Sequence, residues 1–174
     1  MAYVYGTESI GDDRIRFYYT TEGLFNEVSL MTHYRAKTIK DQTGKSQTDD
    51  YAISEAERDA FLVFLDYAVR NVFAELVKLT KGVTSSVFIN EDIEGPPAVV
   101  ASGFSIVDNG NFNENLLGLV DINARESIIL YILKDWYKII GHTEEYNRLS
   151  IEYMAAIVKL SNILFELRKK LIGT

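Results

Sequence analysis

Over the last third of the chain, apolar residues return every three or four positions. Ala124, Ile128, Tyr131, Ile132 and Trp136 mark one face of a first stretch, extended by Ile129, Leu133 and Ile140. Tyr146, Leu149, Tyr153, Ala156, Leu160, Ile163, Leu167 and Leu171 mark a second. This period predicts two amphipathic helices, over residues 121–140 and 143–171. Only Gly141-His142 separates them. A connection so short turns the chain back on itself, so the helices form an antiparallel hairpin whose apolar faces bury each other, with the indole of Trp136 inside. The second stripe lies close to a heptad seam and is read as intramolecular core.

Earlier segments carry weaker signals of the same kind. Ser54-Glu55-Ala56-Glu57 is a capping box, and Phe61, Leu65, Ala68, Val72, Leu76 and Leu79 follow it at helical spacing as far as Gly82, a left-handed stop. Leu62, Phe64, Val69 and Phe73 widen that stripe, which makes this helix central. Leu24, Val28, Met31 and Tyr34 predict another helix over residues 21–38, preceded by a short strand or extended arm over 14–19. Residues 37–51 hold almost nothing apolar and read as a solvated loop. Between Gly82 and Gly110 the pattern turns β-branched and aromatic, over 83–90 and 98–107, around the acidic turn Glu91-Asp92-Ile93-Glu94-Gly95-Pro96-Pro97. An isolated hairpin is marginal in water, so it must pack on the bundle, pair with the N-terminal strand or pair with another subunit. The fold class is α+β, mainly α: one domain over 1–174, with an antiparallel helical bundle from 21–82 and 113–172 and an inserted β-hairpin arm over 83–107.

Composition narrows the function. The chain of 174 residues has 47% hydrophobic and 25% charged residues, ordinary for a folded soluble domain. It has no Cys and two His, His33 and His142, which removes thiolate chemistry and histidine-rich metal sites and leaves carboxylate-only ion sites open. A net charge of -7 argues against wrapping nucleic acid, and suits a wall past which DNA slides without sticking. No apolar run is long enough for a membrane span, and the opening MAYVYGTESIGDD lacks the marks of a secretory leader, so the chain is expected to originate in the cytosol, where virions also assemble.

Candidate chemistry is sparse. Gly44-Lys45-Ser46 has the ending of a phosphate-binding loop, but the upstream glycine such a loop requires falls at Ile39, with no apolar strand before it and no helix directly after. Glu91, Asp92 and Glu94 offer oxygen ligands to a hard cation without the spacing of an EF-hand, and read as a solvated tip. His33 beside Tyr34 and Arg35 acts as a general base only if folding brings a carboxylate or nucleophile to it. His142 and Arg168-Lys169-Lys170 complement the C-terminal ends of helices. No catalytic, cofactor-binding or metal-binding residue is assigned and no cofactor is expected. The alternative is a small cytoplasmic enzyme or regulatory binding protein with a site near His33, Tyr34 and Arg35.

The 11 Tyr, beside 9 Phe and one Trp, point toward assembly, because Tyr supplies amphipathic contact area at small entropic cost. The block ARESIILYILKDWYKIIGHTEEYNRLSIEYMAAIVKLSNILFELRKK, with its aromatic pair Trp136-Tyr137, glycine break and closing helix with Tyr and Leu near a basic end, resembles the ending of head-to-tail connector proteins of tailed bacteriophages. EVSLMTHYRAKTIKD followed by ISEAERDAFLVFLDYA is similarly like virion neck proteins of phages and prophages of Bacteroidetes. The resemblance implies a non-enzymatic structural protein of the virion, a connector or adaptor in the neck. It also implies a homo-oligomeric ring between portal and tail, with the hairpin and N-terminal segment reaching neighbours and DNA passing through the lumen without sequence-specific binding. The hairpin is large for a minimal connector.

Overall fold

The α+β, mainly α architecture expected from the pattern is the one observed. In the computed structural model, which describes residues 5–10, 14–39, 51–79, 86–93, 99–107 and 114–172, strands β1 (Tyr5–Ile10) and β2 (Arg14–Thr20) lead directly into helix α1 (Thr21–Thr38). A 3-10 turn (Glu55–Glu57) opens helix α2 (Arg58–Leu79). Strands β3 (Ser86–Ile93) and β4 (Val99–Val107) follow, and helices α3 (Glu114–Ile139) and α4 (Thr143–Ile172) close the chain.

Local chemistry sets the boundaries. Thr20 caps α1, its hydroxyl accepting the Gly23 N–H at 3.2 Å. The capping box at Ser54 is formed, with the Ser54 N–H donating to Glu57 at 2.8 Å. At the end of α3 the N–H of His142 reaches the Tyr137 carbonyl at 3.0 Å and that of Gly141 the Lys138 carbonyl at 3.3 Å, with Gly141 at φ 77. This is a Schellman stop, and the left-handed residue it requires is most readily glycine. α3 starts seven residues before the expected 121, because Gly118 is tolerated in a helix whose following residues, Val120 and Ala124, are fully buried.

Two expectations about the strands are corrected. Within the 83–107 segment, the described residues 86–93 and 99–107 form no projecting arm: β4 pairs antiparallel with β2, Phe17 opposite Phe104, and the sheet order is β1-β2-β4-β3. The hairpin pairs with the N-terminal strand and also packs on the bundle, with Phe104 and Ile106 in one core with Phe61, Leu65 and Ile128. Glu91 and Asp92, expected in the turn, belong to β3, which runs on through a bulge between Phe88 and Glu91 where Asn90 sits at φ 51. Asn adopts this left-handed geometry more easily than most residues, so the strand continues past it. β1 is an added strand with no counterpart in the sequence reading.

The core lies between the sheet and the helices. Ile15, Phe17 and Tyr19 alternate inward from β2, and Phe17 stacks on Phe104 with ring centroids 5.1 Å apart. They meet Phe61, Leu65, Ala68, Val72 and Leu76 of α2, the residues the period named, and Ile128, Ile132, Leu133 and Trp136 of α3. Trp136 is buried, its indole N–H donating to the Tyr51 carbonyl at 2.8 Å. On α1 the expected face is rotated: Leu24 and Val28 are buried, but Met31 and Tyr34 are exposed while Phe25, Thr32 and Ala36 turn inward. Thr32 sits there without penalty because its hydroxyl donates to the Ser29 carbonyl at 2.9 Å and accepts the Ile53 N–H at 3.0 Å.

Candidate assembly face

The residues named from sequence as a possible enzymatic site are separated by the helix that carries them. His33, Tyr34 and Arg35 are consecutive on α1, and successive helical residues point about 100° apart. His33 lines an open cleft of about 520 Å³ with Asn26, Ser29 and Ser54. The hydroxyls beside it serve the fold: Ser29 donates to the Ile53 carbonyl at 2.8 Å, and Ser54 accepts the Ala56 N–H and bonds Glu57. Tyr34 projects outward with the Lys37 ammonium over its ring. Arg35 turns to α4 and pairs with Glu145 at 3.2 Å and Glu152 at 3.4 Å.

The remaining candidates are also placed. Glu91 pairs with Arg16 at 3.5 Å and Asp92 is exposed, while Glu94 lies outside the described residues. Among the described residues no group of three or more His, Asp or Glu gathers as metal ligands. Gly44-Lys45-Ser46 and the side chains of Arg168, Lys169 and Lys170 also lie outside them. The Nδ1 of His142 accepts the Glu145 N–H at 3.3 Å, so this imidazole caps the start of α4 as well as following α3.

What the geometry presents outward is an apolar face on the α3–α4 hairpin. Besides its core stripe of Leu149, Ala156, Leu160 and Leu164, α4 carries a second stripe, Ile151, Met154 and Val158, on its opposite side. Ile151 is 73% exposed, far more than a residue serving the intramolecular core. Leu119 and Ile122 of α3 continue the patch, and between the helices runs a groove of about 610 Å³ whose walls include Leu119, Ile122, Ala155 and Val158. Asn123 closes its floor. The Asn123 amide nitrogen donates to the Leu119 carbonyl at 2.6 Å, and its Oδ1 is buried with no hydrogen-bond donor. Lys159 stands on the rim, 3.9 Å from Glu126. Exposed apolar residues grouped in this way on a surface often mark a functional site.

The face rests on a rigid base. Arg35 and Arg148 clamp Glu145 and Glu152 between α1 and α4. Burial penalises the charge of Glu145, yet the Arg148 and Arg35 guanidiniums hold its carboxyl below the ordinary value. At the core end of the hairpin, burial pushes the Tyr137 phenol up to about 12, with nearby Glu145 adding to it. At the sheet end, burial raises Asp121, partly opposed by Tyr19 and Arg125. The Ile151–Met154–Val158 spacing of three and four was legible in the sequence, but the stronger neighbouring stripe absorbed that signal. No helix among the described residues is long and apolar enough to cross a membrane. No protein-family model matches the chain, and no curated protein and no solved structure matches it.

Proposed function

We propose that this chain is a non-catalytic structural subunit of a virion neck, part of a head-to-tail connector ring between portal and tail. The observation that carries the assembly reading is the uncovered apolar face of Leu119, Ile122, Ile151, Met154 and Val158 on a helical hairpin whose other faces are packed. Apolar surface grouped in this way on a rigid element is removed from water when a partner covers it, at roughly 25 cal/mol per Å². The connector assignment draws on the sequence resemblance, and the net charge of -7 is compatible with a ring through which DNA passes without adhering. Portal and tail or neck proteins are then its partners beside further copies of itself.

The test uses purified particles. The chain should be present in them by mass spectrometry and located at the neck by imaging, and the variant Ile151→Asp/Met154→Asp should fold normally yet fail to enter or complete the neck. Absence of the wild-type chain from particles rejects the connector role. Normal incorporation of the variant removes the α3–α4 face from the mechanism.

A further inference from the structure

Three segments of the chain meet at His142. Its N–H closes α3 on the Tyr137 carbonyl at 3.0 Å, and its own carbonyl opens α4 by accepting the Tyr146 N–H at 3.0 Å. The side chain stands in the N-cap position of α4, with Nδ1 accepting the Glu145 N–H at 3.3 Å. The imidazole also meets two tyrosine rings edge to face, Tyr51 with 5.4 Å between centroids and Tyr137 with 6.0 Å. Tyr51 begins a short stretch that ties this turn to α1. Its carbonyl accepts the Trp136 indole N–H at 2.8 Å, and Ile53 bonds Thr32 of α1 through its N–H and Ser29 of α1 through its carbonyl.

We propose that this junction is a pH-sensitive latch. With a neutral imidazole, His142 caps α4 and holds Tyr51 against the hairpin turn; protonation of Nδ1 ends the cap and lets Tyr51 come away. The usual N-cap residues, Ser, Thr, Asn and Asp, keep their accepting oxygen in mild acid, whereas histidine loses its lone pair between about pH 5 and 8. To accept at Nδ1, the ring carries its proton on Nε2. A second proton can go only to Nδ1, where it faces the Glu145 N–H, so that a hydrogen bond becomes a contact between two donors. The closed latch resists this proton and the open one takes it freely. Opening therefore takes up a proton, and the closed state is favoured above the histidine range and loses its advantage as pH falls through it.

The surrounding charges do not reverse this sign. Lys138 in the last turn of α3 opposes a second positive charge, while Glu144 and Glu145 in the first turn of α4 favour one. Glu144 is exposed, and Glu145 is already held by Arg35 of α1 and by Arg148. Residues 51–54 carry no charged side chain. The helix dipoles oppose each other as well, because the imidazole lies between the C-terminus of α3 and the N-terminus of α4. The direct contact at Nδ1 is what remains to decide the direction.

The chain has one Trp and two His, so a single fluorophore reads the junction and two substitutions separate the titrating groups. Emission from Trp136 should shift as the wild-type protein is taken from about pH 8 to about pH 5, following one titration in the histidine range, while far-ultraviolet circular dichroism stays constant. His142→Asn caps without titrating there and should flatten the curve, whereas His33→Gln should leave it in place. The Glu145 N–H lies in the first turn of α4, where no intrahelical acceptor is available to it, so its protection in hydrogen exchange comes from Nδ1. Its protection factor, a ratio free of the intrinsic pH dependence, should fall about fivefold across the range, the typical effect of losing an N-cap.

A curve that survives His142→Asn, or one that disappears with His33→Gln, would place the titrating group elsewhere and overturn the proposal. So would unchanged emission in the wild type. A Glu145 amide better protected in acid would mean that the tyrosine rings hold the imidazolium and that the latch tightens, and loss of circular dichroism over the same range would mean that the whole fold responds rather than the latch. Asp121 does not confuse the reading, since it lies about 22 Å from Trp136 along α3. The latch is a property of the fold, so these results stand apart from the connector assignment, which particle composition tests.

Discussion

Tyr137 is fully buried, yet its hydroxyl has no hydrogen-bond partner. A buried hydroxyl left unpaired has lost its water and gained nothing in return, at a cost of about 1–3 kcal/mol. Tyr137→Phe removes the oxygen and keeps the ring, so urea unfolding should show stability unchanged or raised by up to about 1 kcal/mol. A loss above about 1 kcal/mol would show that the hydroxyl has a partner in solution. The ring itself was legible in sequence as half of the Trp136-Tyr137 pair on an apolar face. Its missing partner was not, because which polar groups surround a side chain depends on how α1 and α4 close around it.

At the scale of elements, the junction of β2 and β4 holds the sheet to the bundle. Gly103 lies opposite both Tyr18 and Phe88, and a Cβ there would sit 2.0 Å from the Phe17 carbonyl oxygen and 2.9 Å from the Phe88 ring. A main-chain oxygen cannot swing aside as a side chain can. Gly103→Ala should therefore push β4 off β2 and destabilise the protein by about 1–3 kcal/mol or more, measured by thermal and denaturant unfolding. A neutral substitution would mean that the strands do not approach this closely. The two strands of the inserted hairpin were readable from their β-branched and aromatic runs, while the bulge at Asn90 and the added strand β1 were not. β1 has little apolar periodicity of its own, and it is a strand because β2 offers it an edge.

For the whole molecule, stability against pH reflects opposing carboxylates. Asp121 has its folded pKa raised, chiefly by burial, so its contribution is complete when it is protonated and is lost as pH rises through the folded value. Glu145 has its folded pKa lowered; burial opposes this, but Arg148 and Arg35 outweigh it. Its contribution is present at neutral pH and is lost as pH falls through the folded value. Asp121→Asn should thus be more stable than the parent at pH 7, with the difference shrinking on acidification. Glu145→Gln should be less stable at pH 7, with the deficit closing only below the ordinary carboxylate range of about 4. Chemical denaturation across this range checks both, and an Asp121→Asn advantage that grows as pH falls would reverse the sign assigned to burial.

The sequence by itself determined the helical hairpin, the capped α2, the two strands of the insertion and the fold class. These depend on spacing and on groups a few residues apart: the stripe at three and four, the Ser54–Glu57 box, the glycine at position 141. It also determined most of the core, since Phe61, Leu65, Ala68, Val72, Leu76, Leu149, Ala156 and Leu160 are all buried as their period required. Only the tertiary structure decided which apolar residues were left over. Ile151, Met154 and Val158 have the same helical spacing as their buried neighbours, and Met31 and Tyr34 continue the stripe of Leu24 and Val28. Exposure is set by how many elements surround a helix and from which side, and that number is a property of the packed bundle rather than of any segment within it.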